Sequence, residues 1–250
     1  MSTANSLVND VRALLESAPD VGDVLGLATG SADSFASLAG DLLDGMCGGN
    51  TAIGKIVKRV YDTNASLIEQ SVYDITETAR RNFEPGGRAA TLLFARGVHA
   101  TMAHRVAHQL WVDGDHNLAL AVKSTSGRAF ATDIHPAAQI AAGLWLDHGL
   151  GIVIGETCVI EEDVSIWHSV TLGGTLRDSG PTRHPRLGRG VVVGAGAILL
   201  GNISVGAGAN VGAGAVVVED VPPATVVVGP KARNVGAAKV DFAPKKNRTG

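Results

Sequence analysis

The second half of the chain repeats its hydrophobic positions every six residues. One series is always aliphatic, and the positions four residues later are always small or aliphatic. The first series is Leu187, Val193, Leu199, Val205, Val211 and Val217, and the second is Val191, Ala197, Ile203, Ala209, Ala215 and Val221. A period of six fits neither an α-helix nor a simple alternating strand. It is typical of a hexapeptide β-helix, in which each unit forms a short strand and a turn, and three units complete a coil of about eighteen residues.

An earlier block follows the same pattern but contains a slip of two residues. Its aliphatic positions are Ile134, Ile140 and Leu146, and then Ile154, Ile160, Ile166 and Leu172. The pattern is interrupted at residues 175–186, TLRDSGPTRHPR, which carry no periodic aliphatic residue. This segment predicts a loop that protrudes from the coil, and loops on a rigid scaffold often carry function.

The first half of the chain predicts helices instead. Within residues 64–83 an apolar stripe recurs at helical spacing, with Asn64 as a candidate N-cap and a Pro-Gly-Gly stop after it. Similar patterns occupy residues 7–17, 34–46, 51–62, 88–112 and 117–130. We therefore predict an α+β protein: an N-terminal α-helical domain at 1–131, a left-handed parallel β-helix at 132–235, and a flexible C-terminal tail at 236–250.

Charge and composition exclude several classes of function. The net charge of −3 and the pI near 6.2 argue against nucleic acid as a partner, because phosphate neutralisation needs a basic face. The uncharged run 190–218 is long enough to cross a bilayer, but its glycines, asparagines and period of six disfavour a spanning helix. With two cysteines and no visible signal peptide, we expect a cytoplasmic protein.

Residues 133–149, DIHPAAQIAAGLWLDHG, combine the repeat with acids and imidazoles. His148 interrupts a hexad, and Asp133 lies fifteen residues earlier, close to one coil, so the two could meet at the edges of adjacent coils. A carboxylate that holds one ring nitrogen fixes the tautomer and makes the other nitrogen a base. Asp147 could hold a substrate amine. The alternative is an exposed corner histidine without a role.

The protruding loop carries a second candidate pair. Arg183 is suited to bidentate binding of a carboxylate, and His184 follows it; the alternative is a solvated basic loop. On the predicted helix 88–112, His104 and His108 share a face that could bind metal, with His99 nearby. No cysteine or carboxylate completes a clear ligand set, so we expect packing histidines and no metal.

The GAGA segments at 194–197, 206–209 and 212–215 bring backbone close to the surface. Such a groove could take an extended ligand through main-chain amides. The need for small residues at β-helix corners explains most of these segments equally well.

These stretches together resemble one known family, the serine O-acetyltransferases. The resemblance covers about residues 53–235, including the helical segment 53–81. The matching motifs are GVHATMAHRVAHQLW (97–111), DIHPAAQI (133–140), LDHGLGIVIGET (146–157), SVTLGGT (169–175), RHP (183–185) and VGAGAILLGNISVGAGANVGAGAVV (193–217).

The resemblance implies a reaction and a set of roles. The reaction is transfer of acetyl from acetyl-CoA to the hydroxyl of L-serine, giving O-acetylserine for cysteine synthesis. His148 would be the general base, Asp133 its orienting partner, and Asp147 a contact for the substrate amine. Arg183 and His184 would bind the substrate carboxylate. Residues matching the acetyl-CoA groove are Gly174, Thr175, Ala195 and Ala213. In this family the sites lie between neighbouring β-helices of a trimer, and the helical domains commonly join two trimers.

Two departures from the family pattern matter. The family usually has an aspartate that helps to hold the serine amine where this chain has Asn82, with Glu84 close by, so either Glu84 substitutes or the amine site is weaker. An acetyltransferase that uses another small hydroxy amino acid or alcohol is therefore the second hypothesis, and a catalytically silent scaffold is the third. The family's tail often ends in an isoleucine that docks into O-acetylserine sulfhydrylase, whereas this chain ends Arg248-Thr249-Gly250. We expect no stable complex of that kind.

Overall fold

Helices make up the N-terminal half of the fold. The computed structural model describes residues 3–27, 33–49, 51–82, 85–175 and 180–236. The helices are α1 (Thr3–Ser17), α2 (Pro19–Leu25), α3 (Phe35–Met46), α4 (Thr51–Thr63), α5 (Ala65–Asn82), α6 (Gly87–Phe94), α7 (Arg96–Val112) and α8 (His116–Phe130). None of the helices described is long and apolar enough to cross a membrane.

Three details of the helical prediction differ from the structure. The single helix predicted at 88–112 is two helices, because Ala95 between them has an extended backbone with φ −84° and ψ 105°. Helix α2, which begins at Pro19, was not predicted. The Asn64 side chain donates a hydrogen bond of 2.8 Å to the carbonyl of Val60, so it closes the end of α4 and does not cap the start of α5.

The strands form the left-handed parallel β-helix that the six-residue period predicts. They are β1 (Thr132–Ile134), β2 (Gln139–Ile140), β3 (Trp145–Leu146), β4 (Ile152–Ile154), β5 (Val159–Ile160), β6 (Ser165–Ile166), β7 (Thr171–Gly173), β8 (Arg186–Leu187), β9 (Val192–Val193), β10 (Ile198–Leu200), β11 (Ser204–Val205), β12 (Asn210–Val211), β13 (Val216–Val217) and β14 (Val226–Val227). Strands that are three apart in chain order pair with each other, and this pairing builds three parallel sheets. Face A holds β1, β4, β7, β10 and β13; face B holds β2, β5, β8 and β11; face C holds β3, β6, β9, β12 and β14.

The three faces enclose a triangular prism. The periodic aliphatic residues fill its interior. Leu172, Leu187, Val193 and Leu199 lie in four successive strands and are completely buried, and Leu199 stacks directly on Leu172 in face A. Burial of such a side chain stabilises the fold by about 1.5–3 kcal/mol. The coil therefore supplies a rigid frame whose three corners can carry polar residues.

The two-residue slip in the sequence enlarges the first coil. On face A, Thr132 pairs with Ile152, twenty residues later, whereas on face B Arg186 pairs with Ser204, eighteen residues later. The extra residues form a bulge at the corner where face C passes to face A. Its backbone is left-handed at His148 (φ 58°), Gly149 (φ 63°) and Gly151 (φ 64°).

A buried ion pair joins the helices to the first coil. Arg105 of α7 donates to Asp74 of α5 through Nε (3.1 Å) and Nη2 (3.2 Å), and also to the carbonyls of Ile140 and Ala141. Asp74 in turn accepts the backbone N–H of Gly143 at 2.7 Å. Because both side chains are buried and their hydrogen bonds reach the β-helix, they fix α5 and α7 against the first coil, at the corner where face B passes to face C.

Candidate active site

The bulged corner and the adjacent helices enclose a cavity of about 370 Å³. Three residues that the sequence singled out meet there: Asn82 at the end of α5, and Asp147 and His148 on the bulge. Further walls come from Thr78, Phe94, Ala95, Arg96, Gly97, Trp145, Leu146 and Leu150. A left-handed φ at a non-glycine residue is uncommon and is often found at functional sites. At His148 it turns the imidazole outward, leaving the side chain 67% exposed.

Among the described residues, Asp147 is the one whose carboxylate lies within ion-pair distance of this imidazole. Its Oδ2 lies 3.5 Å from Nε2 of His148, and its side chain is only 14% exposed. The acid and the imidazole therefore meet at the mouth of the cavity.

Asp133 does not pair with His148 as its sequence spacing suggested. It forms an ion pair with Lys123 of α8, and its side chain is largely exposed. In the parts of the chain that the structure describes, no hydrogen bond or ion pair joins it to His148. The reason is the enlarged coil: the register partner of Asp133 is Val153, five residues beyond His148. The described structure does not contain the expected contact between adjacent coil edges, and an orienting role for Asp133 stays a prediction from the resemblance.

Arg183 and His184 lie at a different corner, where face A passes to face B. Arg183 donates from Nη2 to Oε2 of Glu156 at 2.7 Å, and this hydrogen bond lowers the pKa of Glu156. His184 is 9% exposed, and its Nδ1 lies 3.2 Å from the backbone N of Thr157 and 2.9 Å from Oγ1 of Thr157. Burial lowers the pKa of His184, and the positive charge of Arg183 lowers it further.

Two glycines leave space for Arg183 and His184. A Cβ at Gly155 would lie 2.0 Å from Cδ2 of His184, so the ring packs directly on the glycine backbone. A Cβ at Gly174 would lie 3.2 Å from the carbonyl of Arg183, so this predicted acetyl-CoA residue stands at the same corner. Thr175 follows Gly174 in the chain. Glu84, the candidate substitute at the amine site, is outside the described residues.

The other two predicted acetyl-CoA residues share the corner of His148. The backbone N–H of Gly214, next to Ala213, donates to the carbonyl of Ala195 at 2.8 Å. Gly196, next to Ala195, donates to the carbonyl of His168 at 3.0 Å. A column of small residues therefore rises from the bulge along this corner. The four predicted residues divide between two corners: Ala195 and Ala213 at one, Gly174 and Thr175 at the other.

Sequence reasoning missed three side chains of these corners. The ring of His168 lies with its centroid 5.7 Å from that of His148, twenty residues earlier in the enlarged coil. Glu156 and Thr157 contact the loop pair across 26 to 27 residues of sequence. The two-residue slip could have identified His168, whereas nothing in the repeat marks the contacts of Glu156 and Thr157.

The helical histidines make structural contacts. His99 donates from Nε2 to the carbonyl of Leu92 at 2.7 Å, and His108 donates from Nδ1 to the carbonyl of Pro136 at 2.7 Å. His104 is 4% exposed, and its ring stacks on that of His108. Within the described ranges, no group of three histidine, cysteine or acidic side chains could hold a metal ion.

Comparison with known proteins relates this geometry to a family. No family model matches the chain. The serine acetyltransferase of Salmonella typhimurium (strain LT2) is 46% identical over 185 residues, covering 74% of this chain and 67% of the relative. The serine acetyltransferase of Buchnera aphidicola (subsp. Acyrthosiphon pisum) is 38% identical over 251 residues, which cover 98% of this chain and 92% of the relative. The solved structure of soybean serine acetyltransferase complexed with serine superposes on this chain with a TM-score of 0.82 at 40% sequence identity. The superposition covers 93% of this chain and 98% of the soybean chain.

A left-handed hexapeptide β-helix with an imidazole and a carboxylate at an outer corner defines an acyltransferase of the hexapeptide-repeat class. The sequence identity with the relatives, the share of each chain that the matches cover and the structural superposition narrow that class to one family of enzymes. The chain belongs to the serine acetyltransferase family.

Proposed function

We propose that the chain transfers the acetyl group of acetyl-CoA to the hydroxyl of L-serine and so makes O-acetylserine for cysteine synthesis. The observation that carries the proposal is the cavity in which His148 and Asp147 meet, in a chain 46% identical to a serine acetyltransferase. A related structure, of the soybean enzyme, contains serine. A weak hydroxyl nucleophile needs a base beside it, and the exposed imidazole at this corner can serve as that base.

The proposed mechanism follows from these groups. His148 removes the serine hydroxyl proton as the oxygen attacks the thioester carbonyl of acetyl-CoA. Backbone N–H groups near Gly173 and Gly174 stabilise the oxyanion. Collapse of this intermediate breaks the carbon–sulfur bond, and the imidazolium returns its proton to the CoA thiolate. Asp147, whose Oδ2 lies 3.5 Å from Nε2 of His148, contacts the substrate amine.

Substrate recognition in this proposal needs two copies of the chain. His148 and the pair Arg183–His184 occupy different corners of one prism, so they do not face one substrate within a single β-helix. Face A, which runs between those corners, carries an outward column of partly exposed residues: Val153, Thr171, Ile198 and Val216. We propose that these apolar faces pack in a trimer, alone or as a dimer of trimers, so that one copy's base meets its neighbour's carboxylate-binding pair. Acetyl-CoA then lies along Ala195 and Ala213 of one copy and Gly174 and Thr175 of the other.

Asn82 supports a second candidate function with a different acceptor. It lines the same cavity as Asp147, at the position where the family usually has an aspartate. An amide offers the acceptor amine less electrostatic stabilisation than a carboxylate. An acetyltransferase for another small hydroxy amino acid or alcohol remains the alternative on this ground.

One assay separates these functions. Purified protein is mixed with acetyl-CoA and an acceptor, and released CoA is followed with a thiol reagent against a no-acceptor control. The proposal expects release with L-serine at the highest kcat/KM among serine, homoserine and threonine. Release that prefers homoserine would support the changed acceptor, and no release with any acceptor, together with undetectable acetyl-CoA binding by calorimetry, would support the silent scaffold.

A further inference from the structure

The hydroxyl of Thr157 has every hydrogen-bonding position occupied. Its oxygen accepts the backbone N–H of Arg183 at 3.0 Å and that of His184 at 3.1 Å. A hydroxyl has two acceptor positions and one donor, so its proton is left to donate to Nδ1 of His184, 2.9 Å away. One side chain therefore fixes both the backbone of the loop pair and the ring of His184.

The imidazole of His184 can take one tautomer in this arrangement. The backbone N–H of Thr157 also points at Nδ1, at 3.2 Å. A backbone N–H is always a donor, so Nδ1 must accept and cannot carry a proton itself. The proton of the neutral ring then lies on Nε2, which makes no hydrogen bond within the described part of the chain.

We infer that Thr157 is a positioning residue that holds His184 as the neutral Nε2–H tautomer and presents this N–H to the carboxylate of the acceptor. This role for Thr157 rests on the proposed function, in which Arg183 and His184 bind that carboxylate. Arg183 supplies the positive charge, and His184 supplies a directed neutral donor.

The charges around His184 agree with a neutral ring. Arg183 stands beside it on the loop, and Glu156 and His135 face it from the two coils below. Burial lowers the pKa of His184 most, and Arg183 and His135 lower it further, while Glu156 opposes them. Protonation would also place a proton on Nδ1 against the Thr157 backbone N–H. The ring therefore stays neutral at physiological pH.

The two residues before Thr157 support the same geometry. Gly155 leaves space for the ring, because a Cβ there would lie 2.1 Å from Nε2 of His184. Glu156 holds the Arg183 guanidinium at 2.7 Å. Three consecutive residues of the second coil thus each contact the pair on the loop of the third coil.

The kinetic test replaces Thr157 with valine, which keeps the β-branched shape and removes the hydroxyl. We expect KM for serine to rise on the order of tenfold, with kcat and KM for acetyl-CoA changed less than about twofold, the pattern of lost acceptor binding. Thr157→Ser should restore KM, since it returns the hydroxyl. Thr225→Val, which removes a hydroxyl bonded to the carbonyl of Pro222 far from the loop, is the matched control and should leave KM unchanged. A fall in kcat with unchanged KM for serine would overturn the inference.

A spectroscopic test is independent of turnover and needs no variant of Thr157. Wild-type protein labelled with ¹⁵N-histidine is compared with His184→Gln to assign the ring resonances at about pH 7.5. We expect the shift pattern of a neutral Nε2–H imidazole. An Nδ1–H tautomer or an imidazolium would overturn the inference even if serine is acetylated. The expected tautomer in a protein that does not acetylate serine would leave the geometry standing and reject the proposed function instead.

Discussion

Asp147 and His148 are adjacent in sequence and also face each other, with 3.5 Å between Oδ2 and Nε2. Neighbouring side chains of a regular strand point to opposite faces and do not meet in this way. The left-handed backbone of His148 in the bulged corner removes that alternation. The two-residue insertion into the first coil therefore creates the acid–imidazole pair.

Removing the imidazole should abolish turnover without disturbing the fold. For His148→Ala we expect kcat to fall about 10²–10⁴-fold, the usual contribution of a general base. The side chain is mostly exposed and is not part of the apolar column of face A that we propose packs the trimer, so the oligomeric state by light scattering and the far-UV spectrum should be unchanged. His116→Ala, which alters a histidine stacked on Trp111 outside the cavity, is the control. Near-normal kcat in His148→Ala would reject the assignment.

Two carboxylates compete for the role of orienting the base, and asparagine variants separate them. We expect Asp133→Asn to lower kcat by about tenfold or more, because the resemblance gives it the orienting role. Asp147→Asn should mainly raise KM for serine, because it loses the contact with the substrate amine. Steady-state kinetics measures both constants.

Lys123→Met serves as the control for Asp133, because Lys123 is its ion-pair partner in the structure. If Asp133 orients His148 during turnover, the loss of Lys123 should leave kcat unchanged or raise it. An unchanged kcat in Asp133→Asn combined with a large fall in Asp147→Asn would assign the orienting role to Asp147.

The sequence predicted the fold well because the signal for a β-helix is local and periodic. Every inward aliphatic position between Leu187 and Val217 was read directly from the six-residue period and is buried. The helix prediction at 88–112 missed a break because Ala95 is neither glycine nor proline, so its extended backbone has no local signature.

The site was less predictable because it depends on the register between coils. The slip after Leu146 was visible, but its effect is geometric: it moves Asp133 away from His148 and brings His168 beside it. The contacts of Thr157 with Arg183 and His184 cross an interruption in the repeat. A loop that leaves the coil can return in many ways, so no period predicts what it contacts.

The buried pair of Asp74 and Arg105 should matter more to stability than any exposed ion pair. For Asp74→Asn we expect the free energy of unfolding to fall by about 3–5 kcal/mol, because the guanidinium of Arg105 is left buried without its counter-charge. Asp62→Asn, which breaks the exposed pair with Lys58, should cost less than about 1 kcal/mol. Urea unfolding at matched protein concentration measures both variants. Equal losses in the two variants would contradict the argument.

Restoring the family aspartate in the cavity should improve serine binding. For Asn82→Asp we expect a lower KM for serine, because a carboxylate at this wall of the cavity attracts the amine. An acceptor of similar shape without an amine, such as glycolate, is the matched comparison and should gain nothing. If KM for serine rises while another hydroxy amino acid is unaffected, Asn82 marks an acceptor site built for a different substrate.

Acidification should destabilise the helical half through its buried histidines. Burial lowers the pKa of His99 from its ordinary value of 6.5 to about 4, and burial moves the pKa of His104 in the same direction. Between pH 6.5 and about 4 the unfolded chain binds a proton on His99 and the folded chain does not. The contribution of the neutral His99 to the free energy of unfolding is therefore fully present above about pH 6.5 and is lost as the pH drops toward 4. At pH 5 the loss from His99 alone is about 2 kcal/mol. Urea midpoints at about pH 7.5 and 5 should show this fall, and His99→Gln, whose amide can still donate to the carbonyl of Leu92, should show a smaller one. An identical pH dependence in the variant would mean that His99 does not contribute.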